Sequence, residues 1–577
     1  MAPFFSRRSE ARSGLQARRQ FLAACSAAGV SAGLFPGLLW AQAQQAPAGR
    51  VTEAMIRETA ALAGVSLGDT DVKTLINTVN RFATRIDQLH ANAPGNEAPS
   101  PLQFSPRVAG FPITPPSNLF RPSTPRAGLT RPAVLDDVLF WPLVDLADLV
   151  RRRLVTAVEL VELSLSRLER ANARLNCVVT LLRDRALNQA RELDRELAAG
   201  KYRGILHGLP WGVKDIVAAR GGPTTWGTGA FRERVIDMDA TVVTRLTAAG
   251  AVLTAKLTTG ELAFGDQWFG GRTNNPWNPE QGSSGSSAGS GAAPAAGLVA
   301  FAIGTDTGGS ILSPAVRCGV VGLRPTFGRV SRHGVMAAGW TLDKVGPICR
   351  RVEDCAIVLH AIAGPDGQDL AVPTDMPTGW DARASAKGKR VGVVPKLLEA
   401  DQDADTRANA LKALDALRAA GVEIRDVTVP QSDLTYFIEY IERAAGFETF
   451  VQGGHDVNMR ITNIPRDLRV YHLVPAVDYL QANRERYKLM EAYAQATRDI
   501  DVMVAGSVTL TGATSLNPIT SLTGHPAVAV PTGFRANGTP TGLTFAGRLY
   551  DEAGLLVIAR VVEQALGATG RKPPGGV

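Results

Sequence analysis

A segment rich in glycine, serine and alanine between residues 274 and 329 limits the folds open to this chain more than any other feature. It contains Ser-Ser-Ala-Gly-Ser at 286–290 and Gly-Thr-Asp-Thr-Gly-Gly-Ser at 304–310. A flexible linker would be polar throughout, whereas here Leu298, Phe301 and Ile303 lie among the small residues. The segment therefore predicts close backbone packing inside a hydrophobic core.

The surrounding chain alternates helical and strand-like patterns. Thr156 and Glu159 have the spacing of a capping box at the start of a helix, and short apolar runs at 252–254 and 391–394 indicate strands. With 45% hydrophobic and 20% charged residues in 577, the chain can bury a large core. This alternation predicts an α/β protein.

Three further motifs carry a family resemblance. Gly-Val-Lys-Asp stands at 212–215, Asn-Asn-Pro-Trp at 274–277 leads into the small-residue segment, and Gly-His-Pro-Ala stands at 524–527. Together with that segment they resemble the amidase signature family over roughly 143–566. The resemblance implies the amidase signature fold, a central mixed twisted β-sheet covered by helices on both faces.

The resemblance also implies a catalytic triad. Ser286 precedes Ser310 by 24 positions, which matches the family spacing of ~24 between two catalytic serines. By resemblance Ser310 is the nucleophile that forms an acyl-enzyme, Ser286 is the proton relay and Lys214 is the general base. Relatives usually have glycine at the positions of Ser284 and Ala288, so these two departures affect the expected backbone geometry.

A lysine can act as a base only when it is uncharged. Full burial can lower a lysine pKa by ~3–5 units, because it disfavours the charged form. We therefore expect Lys214 to be buried. The resemblance further implies a cis peptide bond between Gly285 and Ser286.

The loop before the nucleophile supplies the expected oxyanion hole. The backbone N–H groups of Thr307, Gly308, Gly309 and Ser310 can converge, because glycine has no β-carbon to obstruct them. We expect Asp306 to organise this loop through hydrogen bonds. Ser287 is expected to support the site as a hydrogen-bond partner.

Residues 1–43 have the features of an export signal. They contain the pair Arg18 and Arg19 followed by Phe-Leu, an apolar stretch, and Ala-Gln-Ala at 41–43 as a cleavage site. Paired arginines in this setting are typical of a twin-arginine signal. The sequence thus predicts a bacterial protein that is periplasmic or secreted.

Three segments are expected after the leader. Apolar residues at helical spacing from Val72 to Leu89 predict an N-terminal helical segment at 44–93. Ten prolines from Pro94 to Pro132 predict an extended tether at 94–133 that wraps the main body. The catalytic domain is expected at 134–570.

Charge and ligand patterns exclude several classes of partner. Five arginines and one glutamate give the leader a net charge of +4, half of the chain's +8, and the remainder forms no dense cluster. We therefore expect no nucleic-acid partner. No Cys/His ligand spacing is present, so neither a metal nor a cofactor is expected. We expect no stable membrane insertion after signal removal. The sequence leaves open whether the protein forms a homodimer.

Two alternative functions also stay open. Gly-Ser-Ser-Ala-Gly at 285–289 fits the G-x-S-x-G pattern of an α/β-hydrolase esterase with Ser287 as nucleophile. Such an elbow needs a buried strand just before it, yet Pro276 and Pro279 interrupt a polar stretch there. The second alternative is a paralogue, not linked to tRNA, of the A subunit of the tRNA-dependent amidotransferases, which shares the signature.

The substrate is not identified by the fold. A small-molecule linear amide is expected, with ester and carbamate bonds as alternatives. Some relatives have an arginine two or three residues after the nucleophile, where this chain has Leu312 and Ser313. Their uncharged side chains favour a neutral substrate.

Overall fold

The computed structural model describes residues 51–98, 100–395, 403–432, 434–506 and 515–574. The predicted export signal at 1–43 lies outside these residues. The described residues divide into two compact units, one formed by those before residue 100 together with 440–482, the other by those within 100–439 and from 483 onward. None of the described helices combines the length and apolar character needed to cross a membrane.

The strands are short and alternate with helices, as the sequence predicts. In chain order they are β1 (Phe120–Arg121), β2 (Val178–Leu181), β3 (Pro210–Lys214), β4 (Val252–Leu257), β5 (Gln267–Trp268), β6 (Gly271–Arg272), β7 (Asn274–Asn275), β8 (Asn278–Gly282), β9 (Phe301–Asp306), β10 (Val321–Arg324), β11 (Lys344–Cys349), β12 (Trp380–Asp381), β13 (Arg390–Val393), β14 (Glu423–Asp426), β15 (Val502–Gly506), β16 (Ala527–Phe534) and β17 (Pro540–Gly547).

The helices include the one predicted after Thr156. They are α1 (Glu53–Leu62), α2 (Asp69–Ala91), α3 (Leu143–Arg151), α4 (Ala157–Leu175), α5 (Arg183–Ala198), α6 (Thr241–Ala248), α7 (Ala288–Ala295), α8 (Leu312–Cys318), α9 (Val352–Ile362), α10 (Ala404–Ala419), α11 (Leu434–Gly446), α12 (Glu448–Gln452), α13 (Asn463–Val470), α14 (Ala476–Ala496), α15 (Asn517–Leu522) and α16 (Glu552–Leu566).

The capping box fixes the start of α4. Thr156 Oγ1 accepts a hydrogen bond from the Glu159 amide at 3.1 Å, and Glu159 Oε2 accepts one from the Thr156 amide at 2.8 Å. Two of the amides that a helix N-terminus leaves unpaired are thereby satisfied. The buried face of α4 packs with α5 against Val252 of β4.

Eleven strands in the described part of the chain form one mixed sheet, in the order β14-β13-β15-β17-β16-β10-β11-β9-β3-β4-β2. Strand β3 runs parallel to both β4 and β9, whereas β9 runs antiparallel to β11. Helices flank this sheet, so the predicted α/β class is confirmed. Because β3 and β9 are parallel, their carboxyl ends meet at one edge of the sheet.

The small-residue segment packs as its composition predicts. Helix α7 is buried along its whole length. A β-carbon at Gly289 would lie 2.4 Å from the Cys177 carbonyl oxygen and 2.6 Å from the Thr258 amide nitrogen, closer than real β-carbons approach. Only glycine allows this approach, so the segment is a core element and not a linker.

The proline-rich stretch lies against the larger unit from residue 100 onward. Its strand β1 pairs in parallel with β12. The Ser123 amide donates to Glu353 Oε1 at 2.7 Å, and Arg126 Nε donates to Asp145 Oδ2 at 2.6 Å. These bonds fix an extended segment that has little regular secondary structure of its own.

In the smaller unit, α1 and α2 pack through Val51, Met55, Ile56 and Val72. Helix α2 spans the region where the apolar spacing predicts a helix. Asn96 Nδ2 donates to the Gly446 carbonyl oxygen at 3.1 Å, which joins segments 350 residues apart. The sequence did not indicate that 440–482 would group with the N-terminal residues.

Candidate active site

Lys214 is the last residue of β3, and its side chain is fully buried. Its Nζ donates hydrogen bonds to Ser286 Oγ at 2.7 Å and to Thr305 Oγ1 at 2.9 Å. Thr305 belongs to the neighbouring parallel strand β9. The lysine therefore lies at the carboxyl edge of β3 and β9, among hydroxyl groups and out of contact with solvent.

Ser286 is also buried, with 1% of its surface exposed. The Gly285–Ser286 peptide bond is cis, as the resemblance implies. A β-carbon on Gly285 would lie 1.9 Å from the Gly265 carbonyl oxygen, so the chain needs glycine before this serine. The tight surroundings leave the Ser286 hydroxyl directed at Lys214.

The substitution of serine for glycine at 284 has a structural cost. Ser284 has φ +62°, in the left-handed region that a residue with a side chain seldom adopts. Its amide donates to Asp266 Oδ2 at 3.0 Å, and its hydroxyl lies 2.5 Å from Ser313 Oγ. These bonds hold Ser284 in a conformation that glycine would adopt freely.

Ser310 is half-buried and so more accessible than Lys214 or Ser286. Its carbonyl oxygen accepts a hydrogen bond from the Ser287 amide at 3.1 Å, which ties the two serine-bearing segments together. Among the described residues, Ser310 Oγ has no hydrogen-bond partner. Catalytic hydrogen bonds often tighten only with substrate bound, and the Ser286–Ser310 relay stays a prediction.

Asp306 lies under the loop that leads to Ser310. Its Oδ1 accepts from the Gly309 amide and its Oδ2 from the Ile311 amide, both at 2.8 Å. The Gly309 amide is thus already paired, and Gly309 has φ +133°. Among the predicted oxyanion donors, those of Thr307, Gly308 and Ser310 have no acceptor in the part of the chain that the structure describes.

Two buried charged residues, Arg324 and Asp343, bind the start of this loop. Arg324 forms an ion pair with Asp306 at 3.4 Å, and its Nη2 donates to Thr520 Oγ1 at 2.8 Å. Burial lowers the pKa of Arg324, while Asp306 opposes this shift. Thr307 Oγ1 donates to Asp343 Oδ1 at 2.6 Å, so the loop is fixed at both of its first two residues.

Ser287 faces the interior and not the candidate nucleophile. Its Oγ donates to the Thr305 carbonyl oxygen at 3.0 Å and accepts from the Thr305 amide at 3.2 Å. Neither of these bonds involves a histidine. The segment before it is the β7–β8 pair, which lies outside the eleven-stranded sheet. The geometry therefore disfavours an α/β-hydrolase elbow at Ser287.

Sequence reasoning missed a second buried lysine beside the site. Lys256 of β4 forms an ion pair with Asp215 at 2.9 Å and donates to Val217 O and Thr224 Oγ1, both at 2.8 Å. Burial lowers the pKa of Lys256, and Asp215 opposes the shift. The position of Lys256 inside the largely apolar run at 252–257 could have indicated from the sequence that this lysine is buried. Thr305, which also binds Lys214, had no distinctive signal.

No group of three or more His, Cys, Asp or Glu side chains within the described ranges has the arrangement of a metal site. Cys177, Cys318, Cys349 and Cys355 are all buried with free thiols. The expected lack of a metal and of a cofactor stays a prediction, which chelation can test. The chemical groups gathered here are hydroxyls, backbone amides and the buried amine of Lys214, a set suited to acyl transfer.

Comparisons with known proteins match most of the chain. A family model described as Amidase matches residues 159–556. The A subunit of glutamyl-tRNA(Gln) amidotransferase from Anaeromyxobacter dehalogenans (strain 2CP-C) is 36% identical over 472 residues, covering 72% of this chain and 94% of that protein. The putative amidase AmiD of Mycobacterium bovis is 34% identical over 456 residues, covering 75% and 95%.

Solved structures agree with the sequence matches. The X-ray structure of native peptide amidase from Stenotrophomonas maltophilia superposes with a TM-score of 0.66 at 30% identity, covering 75% of this chain and 98% of that chain. The similarity thus extends over nearly the whole of that protein. These matches are long enough to assign a family.

Proposed function

The chain belongs to the amidase signature family, and from this we propose that it hydrolyses a carbon–nitrogen bond of a small-molecule amide through an acyl-enzyme on Ser310. Membership of this family supports amidase activity in general. The observation that carries the proposal is the 2.7 Å hydrogen bond between the buried Lys214 Nζ and Ser286 Oγ. It joins a base and a hydroxyl where solvent cannot compete.

In the proposed mechanism, neutral Lys214 accepts the proton of Ser286, which accepts the proton of Ser310. Ser310 Oγ attacks the carbonyl carbon, and the backbone amides of the 307–310 loop stabilise the resulting oxyanion. The relay then returns a proton to the departing amine. Water attacks the acyl-enzyme by the same relay and releases the acid.

The substrate proposed is a neutral linear amide, with esters and carbamates as secondary substrates. Position 313, where a charged residue could meet an anionic substrate, holds a serine whose hydroxyl lies 2.5 Å from Ser284 Oγ. Turnover of a matched panel of neutral and anionic amides, esters and carbamates by the purified chain tests this. Preference for the anionic amides would contradict the proposed substrate class.

Similarity to the amidotransferase A subunits supports a second candidate, a protein that works within an assembly. The relative from Anaeromyxobacter is matched over 94% of its length. Assay of the purified single chain separates the two functions. Activity alone on simple amides favours the hydrolase, whereas activity that requires partner chains favours the second candidate.

We further propose that the protein is exported to the periplasm or beyond, on the basis of Arg18, Arg19 and the Ala-Gln-Ala at 41–43. Cell fractionation with mass analysis of the mature N-terminus tests this. Replacement of Arg18 and Arg19 by lysines should leave the protein in the cytoplasm. An unprocessed cytoplasmic protein before any substitution would contradict the proposal.

A further inference from the structure

The carbonyl oxygen of Thr307 is held by a side chain from a distant part of the chain. Ser521 Oγ, on α15, donates a hydrogen bond to Thr307 O. Both residues are buried, and they lie 214 positions apart. Thr307 is therefore fixed at two points, because its hydroxyl also binds Asp343.

A buried lysine holds Ser521 in turn. Lys344, the first residue of β11, donates from Nζ to Ser521 Oγ at 2.7 Å and to the Ser521 carbonyl oxygen at 3.3 Å. Burial first, and then Arg324, keep the pKa of Lys344 well below its ordinary value, while Asp306 and Asp343 oppose the shift. Both the amine and the ammonium form carry a hydrogen for Ser521, so the contact does not depend on the charge.

The hydrogen bond from Ser521 to Thr307 O also determines the direction of the next N–H group, that of Gly308. A trans peptide is planar, so its C=O and N–H groups point in opposite directions. The bond from Ser521 to Thr307 O therefore directs the Gly308 N–H away from Ser521. Gly308 is half-exposed, whereas Thr307 is buried.

The orientation of the Gly308 amide matters because the neighbouring donor is already used. The Gly309 amide binds Asp306, which leaves fewer N–H groups to receive the oxyanion. We propose that Ser521 and Lys344 are positioning residues that aim the Gly308 N–H at the oxyanion of the tetrahedral intermediate. This inference rests on the proposed amide hydrolysis at Ser310.

The test compares Ser521→Ala, Ser521→Thr and Lys344→Met with a matched control, Ser164→Ala. Ser164 is a buried serine of α4 whose Oγ donates to the Leu298 carbonyl oxygen at 2.7 Å. The control thus loses the same kind of hydrogen bond away from the site. The readouts are kcat and KM for the best amide of the panel, the inhibition constant of phenylboronic acid, and Tm.

We expect Ser521→Ala to lower kcat by about 10²-fold, the effect of a misplaced catalytic group, with KM within about threefold of the original. Binding of phenylboronic acid, which forms a tetrahedral adduct on the nucleophile, should weaken by a similar factor. Ser521→Thr keeps the hydroxyl and should recover most of kcat. Lys344→Met should give a smaller loss of the same kind, and Ser164→Ala should lower only Tm.

Unchanged kcat and boronic acid affinity in Ser521→Ala would overturn the inference. So would equal losses of kcat in Ser521→Ala and Ser164→Ala, because the role would then be structural support alone. Full activity in Lys344→Met would show that Lys344 does not position Ser521. If the unsubstituted enzyme neither hydrolyses an amide nor reacts at Ser310, the proposed function fails, and the inference falls with it.

Discussion

Lys214 and Ser286 lie 72 residues apart in the chain, yet their side chains form a 2.7 Å hydrogen bond in a region closed to solvent. Burial disfavours the charged form of a lysine, and Lys214 Nζ lies within hydrogen-bond distance of the hydroxyls of Ser286 and Thr305. At this 2.7 Å distance a neutral amine can accept the Ser286 proton in place of donating to its oxygen, as the proposed relay requires. This contact gives the first prediction.

Lys214→Ala should depress amide hydrolysis by ~10²–10⁴-fold, the usual contribution of general acid–base catalysis. A matched ester should lose less, because its leaving group needs less help from a proton donor. The kcat/KM of the unsubstituted enzyme should rise with pH as the base loses its proton. This rising part of the pH profile should be altered or absent in the variant. Steady-state kinetics on both substrates check this.

The exposed Lys412 of α10 provides the control. Lys412→Ala should retain full activity and the original pH profile. Near-normal amide turnover by Lys214→Ala with an unchanged pH profile would place the base elsewhere.

A fluorophosphonate should label Ser310, because an activated serine beside oxyanion donors attacks such phosphorus centres. Peptide mass mapping identifies the labelled residue, and Ser310→Ala should abolish both labelling and turnover. Ser287→Ala should remain reactive at Ser310. Label on Ser287 with Ser310 unmodified would support the esterase alternative.

Asp306→Asn should destabilise the protein by ~3–5 kcal/mol, the cost of breaking a buried ion pair. The carboxylate accepts amides on both oxygens and pairs with the buried Arg324, whereas an asparagine has only one acceptor oxygen. Urea denaturation measures the change. Asp415→Asn, in which only an exposed pair with Arg418 is lost, should alter stability by less than about 1 kcal/mol.

Two buried carboxyls should each contribute a loss of stability as pH rises from about 4 toward 7 or 8, while the buried histidines, whose pKa values are lowered, act in the opposite direction below about pH 6.5. Burial first, with help from Glu563, raises the pKa of Asp354 from 3.8 to about 8, and burial raises that of Glu563 from 4.5 to about 7. A folded-state pKa above the unfolded one means that the folded protein binds more protons in this window. Each such group can contribute a slope of up to about 1.4 kcal/mol per pH unit.

Asp354→Asn keeps the acceptor for the Leu143 amide, which now binds Asp354 Oδ1 at 3.0 Å, and removes the charge. The Tm of the variant relative to that of the unsubstituted protein should therefore increase as pH rises from 4 to 8, because only the unsubstituted protein must ionise a buried Asp354. A difference in Tm between the two proteins that is the same at pH 4 and pH 8 would show that Asp354 does not titrate in this range.

EDTA should leave amide turnover intact, since the proposed relay uses only side chains and backbone amides. The measurement is activity before and after dialysis against chelator, with metal added back. Loss of activity that zinc restores would contradict a metal-free mechanism.

Local rules carried much of the sequence prediction. Thr156 and Glu159 determine the start of α4 through contacts between residues three positions apart. The Gly, Ser and Ala residues at 285–289 predict close backbone packing because their side chains are small. The family pattern also named Lys214 and Ser286. It could do so because the Gly-Val-Lys-Asp motif that contains Lys214 and the 24-residue spacing from Ser286 to Ser310 are both properties of the linear sequence.

The remaining contacts depend on long-range packing that no local pattern encodes. Ser521 and Lys344 stand 177 residues apart and look, in sequence, like an ordinary helix serine and a strand lysine. The pairing of Asn96 with Gly446 joins segments that share no motif. Ser284 was noticed as a departure from the family, but its left-handed conformation follows only from the folded loop.

The parallel alignment of β3 with β9 has a consequence for how activity is gained. Successive side chains of a strand point to opposite faces, so a one-residue slip of β3 would turn Lys214 away from Ser286 and Thr305. Partly ordered chains with native helices but unpaired strands would not bring Lys214 to Ser286 and Thr305. Recovery of turnover after dilution from denaturant should therefore not precede the pairing of these two strands, while far-ultraviolet circular dichroism would follow the helices separately.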